Sequence, residues 1–332
     1  MSTLFSHFCA KINQISPLEH NFTEVLEAIA LKPKTLYFRG KLPENMSQSV
    51  ENKTNPDNKT THMSTQKTRT NPATGKLATV AIVGSRHNTR YGEEVAYRLA
   101  YELGRHGVVV VSGLAYGIDT IAHQGCLDGG GITVAVLGTA IDDIYPKSHE
   151  AVARRIIEQD GAIISEYAPG TRPFPKTSFL ERNRLISGLS DIVVVAEAAE
   201  RSGSLNTATH ALEQGKTVFA VPGNITSPYS QGCNKLIKQG AIPYTEPDDI
   251  LRELFPEDYA KHYKKHKQLN LIGDTDVETL VLRALADGLR KGEDIMSATH
   301  LPPEVFNESI TLLEIKGCVK PLGLNNWTLA SL

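Results

Sequence analysis

The chain has 332 residues, 40% of them hydrophobic, which suits one large domain with one or two small ones and an ordinary apolar core. Its formal net charge of -2 excludes a globally basic nucleic-acid binder, so affinity for a polyanion would have to come from a local cluster of cations. Cys9, Cys126, Cys233 and Cys318 lie far apart without CxxC or Cys/His spacing, which excludes a zinc ribbon or disulfide framework and fits a reduced, cytoplasmic protein with no bound metal.

The N-terminus shows neither a signal-peptide pattern nor an apolar run long enough to span a membrane, so no membrane partner is expected. Within residues 1–43 two weakly amphipathic stretches, LFSHFCAKI and FTEVLEAIAL, are expected as helices, and after Pro33 the alternation of TLYFRGKL predicts an edge strand. Residues 44–78 are mainly Asn, Thr, Lys, Ser and Gln with almost nothing apolar. They read as a disordered insertion, because such a stretch buries too little surface to offset its ordering.

Residues 79–254 carry the main domain. TVAIVGSR, at 79–86, is a short run with β-branched Val80, Ile82 and Val83 and no polar alternation, as in a central parallel strand covered on both faces; it empties into Gly84-Ser85-Arg86. The pattern repeats, with strands expected near 79–84, 108–113, 133–138, 161–166, 191–197, 217–222 and 241–245 and helical spacing between most of them. Alternation of this kind means right-handed βαβ units and a doubly wound α/β parallel sheet, whose ligands sit beyond the carboxyl ends of the strands. Several of these strands end in glycine, at Gly84, Gly113, Gly138 and Gly223, where the backbone is open to close approach. Residues 255–275 read as a polar linker, and 276–332 as three short helices and a hairpin, the winged-helix pattern. That last unit has five basic against eight acidic residues from Asp276 onward, so it is expected to contact protein rather than duplex DNA.

Gly84-Ser85-Arg86 is neither the GxGxxG dinucleotide fingerprint nor a Walker lysine loop, so no nucleotide cofactor follows; what remains is phosphate affinity through Arg86, Ser85 and loop N–H groups. Asp119 and His123 in SGLAYGIDTIAH are read as turn and capping residues, since no nucleophile and base accompany them. Asp142 and Asp143 in GTAIDDIYP, being sequence neighbours, point apart and suit capping or ion pairing better than a metal. The segment from Ser165 to Asp191 is the richest: Arg172, Lys176, Arg182 and Arg184 interleave with Phe174 and Phe179. Single-stranded nucleic acid is bound by this combination, cations on the phosphates and rings under unstacked bases; the alternative is that Phe179 packs inward and the arginines pair with Glu166 and Glu181. Ser202, Gly203 and Ser204 open a helix and offer a second anion site, while Glu197 is a base or a backbone acceptor.

In order, VGSR, SGLAxGID, IDxxYP, SEYxPG, FLERNRLISGLSD, SGSLxTA, FAVPGN and GCNKLIKQGA resemble the motifs of the bacterial DNA-processing protein A family (DprA, also called Smf). The resemblance covers about residues 79–250, and LYFRGKLP resembles the start of the family's domain. It implies a Rossmann-like domain, without cofactor or catalysed reaction, that binds single-stranded DNA, forms a homodimer and loads RecA recombinase onto DNA in natural transformation. By position, Arg86 matches the arginine of the family's Gly-Ser/Thr-Arg motif, and Lys176 and Phe179 match its Lys-x-x-Phe pair. The expected DNA-binding set is therefore Gly84, Ser85, Arg86, Lys176, Phe179, Arg182, Arg184, Ser202, Gly203 and Ser204, with Leu236, Ile237 and Ile242 at a dimer interface. Thr209-His210 replaces an arginine common after SGSL, Cys233 stands where threonine is frequent, the insertion is atypical, and the family's larger N-terminal helical domain is expected to be missing or reduced.

Two other readings belong to different functional classes. A nucleotide phosphoribohydrolase-like enzyme of the same superfamily carries PGGxGTxxE, whereas the corresponding RSGSLNTATHALE lacks the glutamate at that spacing. A non-catalytic nucleotide-sensing Rossmann protein would pass a signal to the winged helix, and phosphate-site geometry alone does not separate it from a DNA binder.

Overall fold

A computed structural model describes residues 11–44, 68–257 and 273–329. The beginning of LFSHFCAKI, the insertion between 45 and 67 and the linker between 258 and 272 lie outside the described residues. The chain divides into two compact units at Phe255/Pro256.

The first unit holds β1 (Asn13–Ile15), β2 (Leu36–Gly40), β3 (Thr79–Gly84), β4 (Val109–Ser112), β5 (Thr133–Ala140), β6 (Ala162–Tyr167), β7 (Ile192–Glu197), β8 (Thr217–Ala220) and β9 (Ile242–Pro243). They form one nine-stranded sheet in the order β1-β2-β6-β5-β4-β3-β7-β8-β9. From β6 to β9 every pairing is parallel, with Val80 opposite Val110 on one side and Ile192 on the other, while β2 is antiparallel to β6 and β1 to β2.

Apolar residues of both parities explain why the central strands are buried on two faces. Ala81, Val83, Val109, Val111, Val193 and Val195 pack into one core layer, and Val80, Ile82, Val108, Val110, Ile192 and Val194 into the other. The first layer is covered by α4 (Pro175–Gly188), α5 (Ser204–Glu213) and α6 (Gln231–Lys238), the second by α1 (Arg90–Arg105), α2 (Ile118–Asp128) and α7 (Pro247–Leu254). A further cluster places Ala153 and Ile156 of α3 (Glu150–Glu158) against Ala135, Leu137 and Ile163. The sheet is thus doubly wound α/β.

Three local expectations are corrected. FTEVLEAIAL forms only a short 3-10 helix, Glu24–Ala28, and between the two stretches Asn13–Ile15 forms a strand where no element is expected. TLYFRGKL is internal, because β1 takes the sheet edge beyond it. Residues 68–78, assigned by composition to the insertion, fold into the main unit. Thr70 bridges Leu77, Leu77 and Ala78 are buried, and the Arg69 guanidinium lies 3.6 Å from the Phe255 ring centroid. The few apolar residues at the end of a polar stretch were enough to pin it.

The second unit comprises α8 (Asp276–Ala286), α9 (Gly292–Thr299), α10 (Pro303–Ile315) and the hairpin β10 (Val319–Gly323) and β11 (Asn326–Leu329). The Thr275 hydroxyl caps α8 by accepting from the Glu278 amide at 3.1 Å, and buried Glu278 is met by Lys316 at 2.7 Å. Val281, Leu285, Ile295, Phe306 and Leu313 fill its core, and Leu324-Asn325 turn the hairpin with φ of 50° and 59°, the conformation of a type I′ turn.

Candidate functional site

Strand order reverses beside β3: β4, β5 and β6 lie on one side and the chain crosses to β7 on the other. The carboxyl ends of β3 and β7 therefore flank the crevice where an open α/β sheet receives ligands.

The loop after β3 is held rigidly by β7. The Ser85 amide donates to the Glu197 carbonyl at 2.7 Å, and the Thr89 amide and hydroxyl donate to the Glu197 carboxylate at 2.7 and 2.6 Å. Buried Glu197 is consumed as a backbone and hydroxyl acceptor. Thr89 also caps α1 by accepting from the Gly92 amide at 3.3 Å. From the other side Gly117, at φ 76°, lies so close that a Cβ there would collide with the Ser85 carbonyl, which accepts from the Ile118 amide at 3.2 Å. Arg86 is left exposed at the tip of this fixed loop, its guanidinium 5.6 Å from the Phe179 ring centroid.

Phe179 is half-buried on α4, with the ring of Tyr145 5.6 Å away at a tilt of 44°. Gly138 at the end of β5 makes the room: a Cβ there would sit 2.6 Å from the Phe179 ring. The strand-end glycines thus open space for the protein's own side chains. Gly84 faces Ile118 and the Glu197 carbonyl, and Gly113 faces the Arg182 guanidinium.

Arg182 and Arg184 are not available to a ligand in the way the sequence pattern suggested. The Arg182 side chain is 4% exposed; it donates to the Gly113 carbonyl at 2.8 Å, to the Val136 carbonyl and, through Nε, to Asn183 Oδ1 at 3.2 Å. Arg184, also buried, forks onto Glu166 at 2.9 and 2.8 Å and donates to the Leu31 carbonyl at 2.7 Å. Lys176 occupies the first turn of α4, and its side chain lies outside the described part of the structure.

Asp119 is buried and accepts from the Gly113 amide at 3.1 Å. Burial pushes its carboxyl pKa up, opposed by the positive fields of Arg182 and Arg86 and by hydrogen bonds from the Ala115 and Gly113 amides. Burial likewise lowers the Arg182 guanidinium to about 10, which leaves it charged at neutral pH, with Asp119 as its countercharge. With Asp119 and Arg182 offsetting each other, Arg86 supplies surplus positive charge beside two aromatic rings.

His123 is fully buried, and its Nδ1 sits 2.7 Å from the Thr133 hydroxyl, which itself donates to the Val110 carbonyl. The Thr133 proton being spent, Nδ1 is the donor and the imidazole is neutral, its pKa pulled down to about 3 chiefly by burial, with the neighbouring His149 ring and the Arg182 guanidinium acting in the same direction. Asp142 accepts from the Gly170 amide at 2.9 Å and Asp143 pairs with Lys147 at 3.1 Å, so these carboxylates staple loops. Among the described residues no group of three or more His, Cys, Asp or Glu side chains is placed to hold a metal, and no helix is long and apolar enough to cross a membrane.

Across the crevice, Ser202 and Ser204 hydroxyls share a 2.8 Å hydrogen bond at the start of α5, with Gly203 exposed between them. Asn183 ties this turn to α4 by donating to the Gly203 carbonyl at 3.3 Å. Of the residues expected at a dimer surface, Leu236 is packed in the chain's own core and Ile237 is half-buried against it, while Ile242 is exposed on edge strand β9. The sequence reading did not include Tyr145 among the site residues. The available signal was an aromatic in the loop after a glycine-ended strand, which does not say which ring it will meet.

A family model described as DNA recombination-mediator protein A matches residues 68–255. Protein Smf of Escherichia coli (strain K12) is 49% identical over 175 residues, covering 53% of this chain and 46% of that protein. DNA processing protein DprA of Streptococcus pneumoniae is 45% identical over 178 residues, covering 54% of this chain and 62% of that protein. The chain thus matches about half the length of these curated relatives. Among solved structures, DNA processing protein A from Streptococcus pneumoniae superposes with a TM-score of 0.58 at 35% identity, covering 75% of this chain and 76% of the other. DNA processing protein A from Helicobacter pylori, a structure describing that protein's single-stranded DNA binding mode, gives 0.57 at 28% identity, covering 75% and 98%.

Proposed function

Since the chain belongs to the DNA recombination-mediator protein A family, we propose that its first unit binds single-stranded DNA at the carboxyl edge of the sheet and, as a homodimer, loads RecA recombinase onto that strand. The observation that carries this reading is the exposed Arg86 guanidinium 5.6 Å from Phe179, whose ring also has Tyr145 as a neighbour at 5.6 Å. A cation on a fixed loop takes a phosphate, and adjoining half-exposed rings take an unstacked base. Gly84 and Ser85 hold the loop from which Arg86 projects, and Lys176, Ser202 and Gly203 supply further phosphate contacts, with buried Ser204 acting through its bond to the Ser202 hydroxyl. Arg182 and Arg184 act beneath the surface, fixing the strand ends and α4. Ile242 on edge strand β9, with Ile237 beside it, is the place where a second copy would cover the sheet edge. The second unit is a winged helix whose acidic composition suits protein contacts.

A nucleotide hydrolase is less well supported, because Glu197, Asp119 and His123 are each buried and committed to internal hydrogen bonds. The test is the affinity of the wild type and Arg86→Ala for single-stranded and duplex DNA across a salt series. Wild type should prefer the single strand, and Arg86→Ala should weaken binding to every sequence and flatten the salt slope by about 0.7. A folded Arg86→Ala protein with unchanged affinity and slope would refute this site. Release of free base from nucleoside monophosphates would instead favour the enzyme.

A further inference from the structure

A second depression lies on the same edge of the sheet. Its volume is about 460 Å³ and its walls come from the end of β6 and its following loop (Glu166, Tyr167, Thr171) and from the start of β2 (Lys34, Tyr37). Because β2 runs antiparallel to β6, the residues that begin β2 stand at the carboxyl end of the parallel strands, beside Tyr37↔Ser165. This cleft is therefore on the Arg86 side of the sheet, not its opposite end.

We propose that this cleft is a distal subsite for one nucleotide of the same single strand, taken by its phosphate and base; this rests on the single-strand reading above. The first support is charge. The cleft's carboxylate, Glu166, is already neutralised by the two-point contact with Arg184 at 2.9 and 2.8 Å. Lys32 is occupied by Glu27 at 2.7 Å, whereas exposed Lys34 has no ion-pair partner among the described residues. The wall therefore keeps net positive charge where a phosphate would enter. The second is shape and chemistry. The volume lies in the range of small-molecule sites, and the half-exposed aromatic side chains of Tyr37 and Tyr167 line it, which suits a base. The Thr171 hydroxyl donates to the Ala168 carbonyl at 2.7 Å and so remains an acceptor for base or sugar.

The third support is continuity. Between the cleft and Phe179 the loop after β6 exposes Arg172 and Phe174, so cations and rings continue from Lys34 to Arg86. Four strand spacings separate β3 from β2 in the sheet order, a span of roughly 20 Å at about 4.8 Å each. At about 3.4 Å per stacked nucleotide the strand needs about six nucleotides to reach both places, within the usual site sizes of single-strand binders.

The experiment measures affinity and salt slope for oligothymidylates of about four and about twenty nucleotides, in the full chain, with Lys34→Glu, Arg172→Ala and Arg86→Ala. Lys34→Glu should weaken the long strand at least about threefold and flatten its salt slope by about 0.7 or more, while the short strand, seated at Arg86, is bound as before. Arg172→Ala should act in the same direction and more weakly. Arg86→Ala should weaken both lengths. If Arg86→Ala weakens both and Lys34→Glu neither, the cleft is not on the DNA path and this inference is overturned while the single-strand reading stands. If Arg86→Ala changes nothing, that reading itself fails. Thymidine monophosphate protected from displacement by the long strand, with Lys34→Glu abolishing only mononucleotide binding, would overturn the strand assignment in favour of a free-nucleotide site.

Discussion

Arg182→Met separates a DNA contact from a scaffold role. Arg182 is 4% exposed and serves the Gly113 carbonyl just past β4 and the Val136 carbonyl within β5, while countering buried Asp119. Methionine fills similar volume and restores none of these bonds. Each orphaned carbonyl costs about 1–3 kcal/mol, and leaving one member of a buried charge pair alone costs about 3–5 kcal/mol in total, part of which Asp119 recovers by taking up a proton. After that recovery the expected loss is at least about 3 kcal/mol, a fall in Tm of at least about 6 °C for a unit of this size. Chemical and thermal denaturation read the stability, and DNA titrations across salt read the slope. The slope should stay at the wild-type value, because no phosphate contact is removed. Wild-type stability with a slope flatter by about 0.7 would refute the scaffold argument and return Arg182 to the DNA surface.

Phe179→Ala should cost about 1–3 kcal/mol in affinity for single-stranded DNA with the salt slope nearly unchanged, since a ring under a base releases no counterions; a loss confined to Tm would mean that the ring serves packing alone. Gly117→Ala places a Cβ against the Ser85 carbonyl at a φ of 76°, so it should destabilise the fold by more than about 1 kcal/mol and weaken DNA binding as the Arg86 loop shifts; unaltered affinity would disconnect the two loops. His123 carries a folded pKa of about 3 against an ordinary 6.5, a depressed value, so its contribution is present above pH 6.5 and lost as pH falls toward 3. Stability should drop by about 1.4 kcal/mol per pH unit from this group over that window, and His123→Asn should remove that component; identical acid profiles for the two proteins would contradict it. Ile242→Glu places charge on edge strand β9 and should shift a dimer toward monomer in sedimentation, whereas an unchanged assembly state would move the interface elsewhere.

The sequence by itself determined the doubly wound sheet, because runs such as TVAIVG and VVVVSG are apolar in both parities and only a strand covered on two faces accommodates that. It also determined that Arg86 leaves the first of those strands at the ligand edge, since a glycine stop after a buried strand is a local feature. What it did not contain was the fate of each cation in FLERNRLISG. Helical spacing sorts residues by face, but whether a guanidinium on that face reaches solvent or a backbone carbonyl of the sheet depends on where the neighbouring strands lie. Only the tertiary structure sent Arg182 to Gly113 and Val136, and Arg184 to Glu166. The same holds for TLYFRGKL. Its alternation marks a strand, but its partners on both sides, β6 from far along the chain and β1 from a stretch with no expected element, are long-range pairings that carry no local signal. That pairing brings Lys34 to the edge it shares with Arg86, a juxtaposition of residues far apart in sequence that exists only once the sheet has closed its order.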